Sequence, residues 1–333
     1  KIRSIDWGGA LLSVVAMSAL VFGLIEGRNY GWWTVNHDFK IGDWTWPLDI
    51  SVIPFAFAVF VITAFWFVFH GLHRARKGKS PLIAFDLFTI ASFRNGNIAA
   101  LIISMGEFGI ILALPLWLQF VIGYDALQTG FVLLALAIGA FVASGLAGGL
   151  SRRVSPVVMV RIGIVLEIIG VAGVGFMISP DSGWAQVTPF FFLYGMGVGL
   201  ATAQLTNVIL KNVAVEESGQ ASGTQSTSRQ LGSALGIAVL GTILYTSAAG
   251  ILSTSLTDEK LPQEAVDAYT TAVIDSSGAA IQKLEADPKT QPVATYAKQA
   301  ISDGTKYSAY SAAGFLALGF LSTLSLGGRK KEA

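Results

Sequence analysis

Residues 97–122 read NIAALIISMGEFGIILALPLWLQFVI. The run is long and apolar enough to cross a bilayer, yet Glu107 sits near its middle. A carboxylate at that depth costs about 2.5–3.5 kcal/mol on insertion scales, and intramembrane acids are read first as functional. At 1.5 Å per residue Glu107 lies about 15 Å along the axis from Asn97, near the midplane of a core about 30 Å thick. Pro115 interrupts the same helix, and Gln119 follows. On a helical wheel Asn97, Ser104, Glu107, Pro115 and Gln119 share about a third of the circumference. Such a stripe faces a cavity or another helix, not lipid. Two readings of Glu107 stay open: an acid that loads a proton or holds a cation, or a structural glutamate hydrogen-bonded inside a bundle.

Composition fixes the class around this helix. The 333 residues are 53% hydrophobic and 13% charged, where soluble domains carry about 25% charged residues. Lipid offers no partner to an open N–H or C=O, so repeated apolar runs of about 20 residues imply helices. The expected fold is an all-α integral membrane protein. A net charge of +1 gives no case for nucleic acid. The absence of cysteine excludes disulfides and thiolate metal sites. Three scattered histidines make no metal cluster, so neither metal nor cofactor is expected. The chain begins with Lys1 and no signal peptide, and further sequence is expected upstream.

Eight spans are expected: about Trp7–Glu26, Leu48–His70, Asn97–Ile122, Thr129–Leu150, Val157–Ile178, Val187–Leu210, Ser228–Ala249 and Ser308–Leu326. Lys and Arg gather in alternate links. They are Lys1 and Arg3, then His73 with Arg74, Arg76, Lys77 and Lys79, then Arg152 and Arg153, then Lys211 and Arg229, and finally Arg329, Lys330 and Lys331. Because cytoplasmic loops hold the excess of Lys and Arg, both termini are expected in the cytoplasm and the protein in the cell membrane. Trp32, Trp33, Trp44 and Trp46 suit an interfacial belt in the first outer loop. Residues 81–94, PLIAFDLFTIASFR, are amphipathic and are expected along the inner surface. The polar segment 250–306 falls outside the membrane, as a helical hairpin capping the outer mouth or as a mobile loop.

Other polar residues have two readings each. Glu167 in span five lies at a depth similar to Glu107. It is a second functional acid, or it serves packing or an ion pair. Arg161, one turn inside the same span, can snorkel to the inner face. Gly195, Gly197 and Gly199 form G-x-G-x-G, but inside an apolar span and without a preceding strand, so close helix packing accounts for them better than a nucleotide loop. Gln204 and Asn207 share a face and line a pathway or bridge helices. Gly232, Gly236 and Gly241 permit close contact of span seven, and Gln225, Arg229 and Gln230 sit at its cytoplasmic end, where Arg229 reads as a gate or interface charge. His70 and His73 read as interfacial, not as haem ligands.

Three stretches carry a family resemblance. GQASGTQSTSRQLGSALGIAVLGT (219–242) is similar to the penultimate-helix pattern of major facilitator superfamily transporters. SIDWGGALLSVVAMSALVFGLIEGRNYGW (4–32) resembles the first of two extra central helices in the fourteen-span drug:proton antiporters. GGLSRRVSP (148–156) resembles the second-half echo of the superfamily's cytoplasmic loop motif. Gly148 and Arg153 match that motif, while Arg152 stands where its Asp would be and Ser155 where its second Gly would be.

The resemblance implies the C-terminal part of such a transporter. Residues 1–80 would be two linker helices, and 81–333 a six-helix domain with an extracytoplasmic insertion at about 250–306. It implies a proton-coupled secondary transporter that exports lipophilic or cationic small molecules. Glu107 and Glu167 would couple protons. Phe108, Trp117 and Gln119, with Gln204 and Asn207, would contact substrate. Gly148, Arg152, Arg153, Arg161 and Arg229 would gate. Alternating access needs two bundles, so a missing N-terminal six-helix half or a partner chain is implied. The alternative is a non-transporting membrane subunit, or a half-transporter that needs such a partner. A membrane redox enzyme finds no support in these residues.

Overall fold

The computed structural model describes residues 4–327. Lys1, Arg3, Arg329, Lys330 and Lys331, used above for sidedness, lie outside the described residues. The chain runs α1 (Trp7–Tyr30), a two-residue β-ribbon of β1 (Lys40–Ile41) and β2 (Trp44–Thr45), α2 (Val52–Arg76), α3 (Ala91–Trp117), α4 (Ala126–Leu150), α5 (Pro156–Met177), α6 (Trp184–Leu210), α7 (Ser218–Asp258), α8 (Gln263–Asp275), α9 (Ala280–Ala286) and α10 (Gln291–Thr323). Eight of these helices are long and apolar enough to cross a membrane. The fold is all-α, as the composition implied.

Helices α3, α4, α5, α6, α7 and α10 form one bundle, with α5 and α4 against α6, α3 against α7, and α10 against α3, α5 and α7. Small residues set its closest approaches. A Cβ on Gly195 or Gly199 would meet α4 backbone at 2.2 Å and 2.6 Å, and one on Gly197 would meet the α5 carbonyl of Gly163 at 2.4 Å. The G-x-G-x-G run is therefore a packing device that serves two neighbours at once. Gly232 and Gly236 lie likewise on α3, at 2.2 Å from the Leu101 carbonyl and 2.3 Å from the Met105 carbonyl. Gly241, expected in the same role, has nothing within 4 Å; it borders a crevice shared with α1, and Leu240 beside it takes the next contact on α3, at Gly109.

Helix boundaries differ most where polar sequence was read as the end of a span. Helix α7 starts ten residues before the expected Ser228 and continues to Asp258, and α10 starts at Gln291 instead of Ser308. Small and hydroxyl residues permit a helix when neighbours bury its apolar side, because packing outweighs propensity. The segment 250–306 is accordingly ordered: Val266, Val273, Ile281 and Val293 are buried in a helical cap continuous with the core. Pro115 does not interrupt α3, which passes through it to Trp117 and then widens into a π turn over Leu118–Ile122. Residues 81–94 divide into a 3₁₀ turn at Phe85–Thr89 and the first residues of α3. His73, Arg74 and Arg76, placed in a loop by the sequence, stand on the last turn of α2.

Helices α1 and α2 pack as a pair, and α1 leans on α7. Asp6 ties their end together. It caps α1 by accepting from Gly9 N–H at 2.8 Å, accepts from Leu82 N–H at 3.1 Å, and faces His70 at 2.9 Å and Arg74 at 3.5 Å. Burial alone would push this carboxyl up. The Gly9 N–H, His70, the Leu82 N–H and Arg74 outweigh it and hold Asp6 below the ordinary aspartate range.

Asp6→Asn should lower stability by about 1–3 kcal/mol at neutral pH, read by thermal unfolding in detergent. A depressed carboxylate stabilises above its unfolded pKa of about 3.9 and ceases to as pH falls through the folded value. The gap between variant and native should therefore narrow below about pH 4. Gly236→Ala should cost about 1–3 kcal/mol by overpacking against α3, while Gly241→Ala should leave stability unchanged or raise it by up to about 1 kcal/mol. Equal losses at the two glycines would rule out the α3–α7 contact as the reason.

Candidate functional site

Three ionisable side chains from three helices meet midway along the bundle. Glu107 stands near the middle of α3, Glu167 near the middle of α5, and Arg229 three turns into α7. Nη2 of Arg229 lies 3.7 Å from Oε2 of Glu107. The Glu107 and Glu167 carboxyls lie beside each other, and neither Glu167 oxygen has a protein partner in good hydrogen-bond geometry. Both glutamates are buried, with Glu107 3% and Glu167 0% exposed. Tyr194 of α6, also buried, donates its hydroxyl to the Glu107 backbone carbonyl at 2.9 Å.

Packing delivers the two acids to one place. The Glu167 side chain lies across Gly197, where an added Cβ would come within 2.6 Å of its Cγ. On α6, Gly197 thus opens the lane through which Glu167 reaches α3. Gly232 and Gly236 do the same for α7, so that Arg229 stands one turn away from the α3–α7 contact, level with Glu107. The guanidinium is 30% exposed, and the crevice beside it is lined by Ser104, Thr202, Gln225 and Arg229 along with Glu107. Gln225 donates to the Thr206 hydroxyl at 2.7 Å, which joins α7 to α6 on that wall. The free space there is about 10 Å³, roughly what one water needs. In this arrangement the acids can exchange protons through water but cannot touch a drug-sized molecule.

The other sequence candidates are dispersed. Arg229 is not at a helix end: the ten added residues of α7 carry it to mid-depth. Trp117 is fully buried and donates its indole N–H to Ser302 of α10 at 3.2 Å. Phe108 is half-buried beside Glu107 in sequence, and Gln119 lies in the π turn; neither lines the crevice. Gln204 and Asn207 bond to each other at 3.4 Å on the outer side of α6. Gly148 stands exposed on the last turn of α4, with nothing within 4 Å of an added Cβ, and Arg152 and Arg153 lie on the exposed turn that follows. Arg161 donates to the carbonyl of Thr323 at 3.0 Å and its hydroxyl at 3.3 Å, a cation at a helix C-terminus, where the macrodipole favours it.

The ion pair itself escaped the sequence reading, as did Tyr194. The signal was present: two acids at mid-depth in apolar spans require a cation at the same depth, and Arg229 follows a stretch of small residues able to continue a helix. Among the described residues no group of three or more His, Cys, Asp or Glu side chains has metal-holding geometry.

Residues 7–237 match the model of the Major Facilitator Superfamily. Multidrug resistance protein 3 of Bacillus subtilis (strain 168) is 30% identical over 244 residues, which cover 72% of this chain and 43% of that protein. Multidrug resistance protein Stp of Mycobacterium tuberculosis (strain ATCC 25618 / H37Rv) is 29% identical over 244 residues, 73% of this chain and 41% of its own. The Tetracenomycin C resistance and export protein of Streptomyces glaucescens is 25% identical over 261 residues, 78% and 45%. The chain spans less than half the length of these relatives. With eight membrane-length helices and a family match over most of its length, this multi-pass membrane chain belongs to the Major Facilitator Superfamily.

Proposed function

We propose that this chain is the C-terminal part of a fourteen-span drug:proton antiporter, and that the Glu107–Glu167–Arg229 cluster is its proton-coupling centre. The observation that carries this reading is the buried pair of Glu107 with Arg229, with Glu167 alongside. One guanidinium balances one carboxylate. A second carboxylate charge in the same dry space is costly, so the third member of the balance is a proton. Protonation of Glu107 cancels its attraction for Arg229 and frees the guanidinium, which already borders the crevice. A ligand or proton moves a two-state equilibrium only through its differential affinity for the two states. The broken or formed pair supplies that difference between α3 and α7.

The exported molecule is lipophilic or cationic by analogy with relatives named for multidrug resistance and for tetracenomycin C export. It binds where this half faces the N-terminal six-helix half or a partner chain, not at the sealed glutamates. Helices α1 and α2 act as the linker pair, and residues 81–333 as the transport domain. The protein lies in the cell membrane with the ends of this chain in the cytoplasm, which the basic turns at Arg74–Lys79 and Arg152–Arg153 support. Gly148, Arg152 and Arg153 then gate on the cytoplasmic side, and the α8–α9 cap is extracytoplasmic.

Two expectations test this. In liposomes holding the full-length protein, Glu107→Gln should abolish substrate flux driven by a pH gradient while leaving substrate exchange without a gradient. Undiminished gradient-driven flux would remove Glu107 from coupling. Arg229→Gln strands a buried carboxylate and should cost about 3–5 kcal/mol of stability or force a proton onto it. The double variant Glu107→Gln with Arg229→Gln should recover much of that loss. Additive losses would mean that the pair is not an interacting unit.

A further inference from the structure

A groove runs between the α1–α2 pair and α7, separate from the glutamate cluster. It holds about 410 Å³. Its walls are Met17 of α1, Phe60 and Phe67 of α2, Leu82 and Ile83 of the following turn, and the start of α7 around Gly223. Every polar side chain along it that can hydrogen-bond is already engaged. Ser13 donates to the Ala10 carbonyl, Gln220 to Pro81, Thr224 to Gln220 and Thr227 to Gly223. The hydroxyl protons along the lining are all spent on backbone carbonyls, which leaves the second amide N–H of Gln220 as its one open donor, and so an otherwise apolar lining suits a hydrocarbon chain. Gly219 and Gly223 have nothing within 4 Å of an added Cβ, so the space is open along α7.

The mouth of this groove is charged. Helix α2 ends in Arg76, and the chain turns through Lys77, Gly78 at φ +70° and Lys79 before Leu82 enters the groove wall. Arg76, Lys77 and Lys79 are exposed, and among the described residues none of them meets a carboxylate within ion-pair distance. Arg74 differs: it is drawn inward by Asp6, Ser4 and the Ser80 carbonyl. From Arg76 to Phe60 is about 24 Å along α2, close to the depth of one leaflet with its headgroups, about 20–22 Å.

We infer that this groove binds one anionic phospholipid, an acyl chain lying between α1–α2 and α7 and the phosphate held by Arg76, Lys77 and Lys79. Charge at the mouth selects the headgroup, since each basic residue near an anionic surface contributes about 1 kcal/mol. Satisfied hydroxyls and aromatic walls accept the chain. The lipid fills the seam that the protein leaves between linker pair and bundle, and so bears on how the two move relative to each other.

The test uses the full-length protein in nanodiscs of equal phosphatidylglycerol and phosphatidylcholine, released into mild detergent, with retained lipid counted by native mass spectrometry. The native protein should retain phosphatidylglycerol several-fold over phosphatidylcholine. Lys77→Gln with Lys79→Gln should bring that ratio down to the mixture's. Gly223→Leu, a change that favours helix and fills the groove, should remove one retained lipid per chain. Retention at the mixture's ratio by the native protein would overturn the proposal. So would a groove that loses lipid in Gly223→Leu but keeps its headgroup preference when the lysines are changed. Native-like retention in both variants would place the lipid elsewhere and overturn it as well.

Discussion

A charge buried at membrane depth must be matched there, and much of this bundle follows from that constraint. Glu107 and Glu167 are each costly alone. Their cost falls when Arg229 reaches the same level, and that requires three backbones to come closer than ordinary side chains allow. Gly197, Gly232 and Gly236 provide the approach, each with neighbouring backbone where a Cβ would go. In lipid, small residues at helix interfaces are the usual route to such contact, since apolar side chains gain little by leaving hydrocarbon for protein. Here the same glycines that pack the helices also set the distance between the charges.

Much of this was legible in the sequence. Apolar run length gave eight spans, and Glu107 and Glu167 stood out as acids at mid-depth. The packing role of Gly195, Gly197 and Gly199 followed from their place inside an apolar span. What periodicity could not give was the length of α7 and α10. Residues 218–227 and 291–307 are polar, small or hydroxyl-bearing, and local propensity does not favour a helix there. They are helical because α3, α6 and the cap bury one side of them. That tertiary effect moved Arg229 by three turns and changed it from an end charge into the partner of Glu107. Trp117 shows how sequence proximity differs from contact: ten residues of helix separate it from Glu107, and its indole donates to Ser302 of α10.

The sealed state of the cluster bears on mechanism. On the proposed reading, a crevice with room for one water keeps proton handling apart from substrate handling in space. Under that proposal coupling runs through helix position, α3 relative to α7, and not through a shared ligand. The contact between those two helices combines bare backbone at Gly232 and Gly236 with Leu240 of α7 seated in the notch at Gly109 of α3, so the two interlock. Arg161 holds the end of α10 on α5, and α3–α7 is the contact that carries the ion pair.

Helices α1 and α2 border that seam from outside. The pair is tied to the bundle at both ends and loosely between. At the basic end Asp6 binds α1, α2 and the 81–83 segment in one cluster, and Gln220 of α7 donates to Pro81. At the other end Arg28 lies 3.7 Å from the centre of the Tyr245 ring, and His37 bridges the Asn29 carbonyl and Asp275 of α8. Two acceptors on one imidazole favour its protonated form, and the Asn29 carbonyl first, then Asp275, draws His37 above its ordinary range despite some desolvation. That tie holds fully below about pH 6.5 and is lost as pH rises through the raised value; its exposure keeps it weak. Low pH therefore strengthens the tie between the α1–α2 connection and α8.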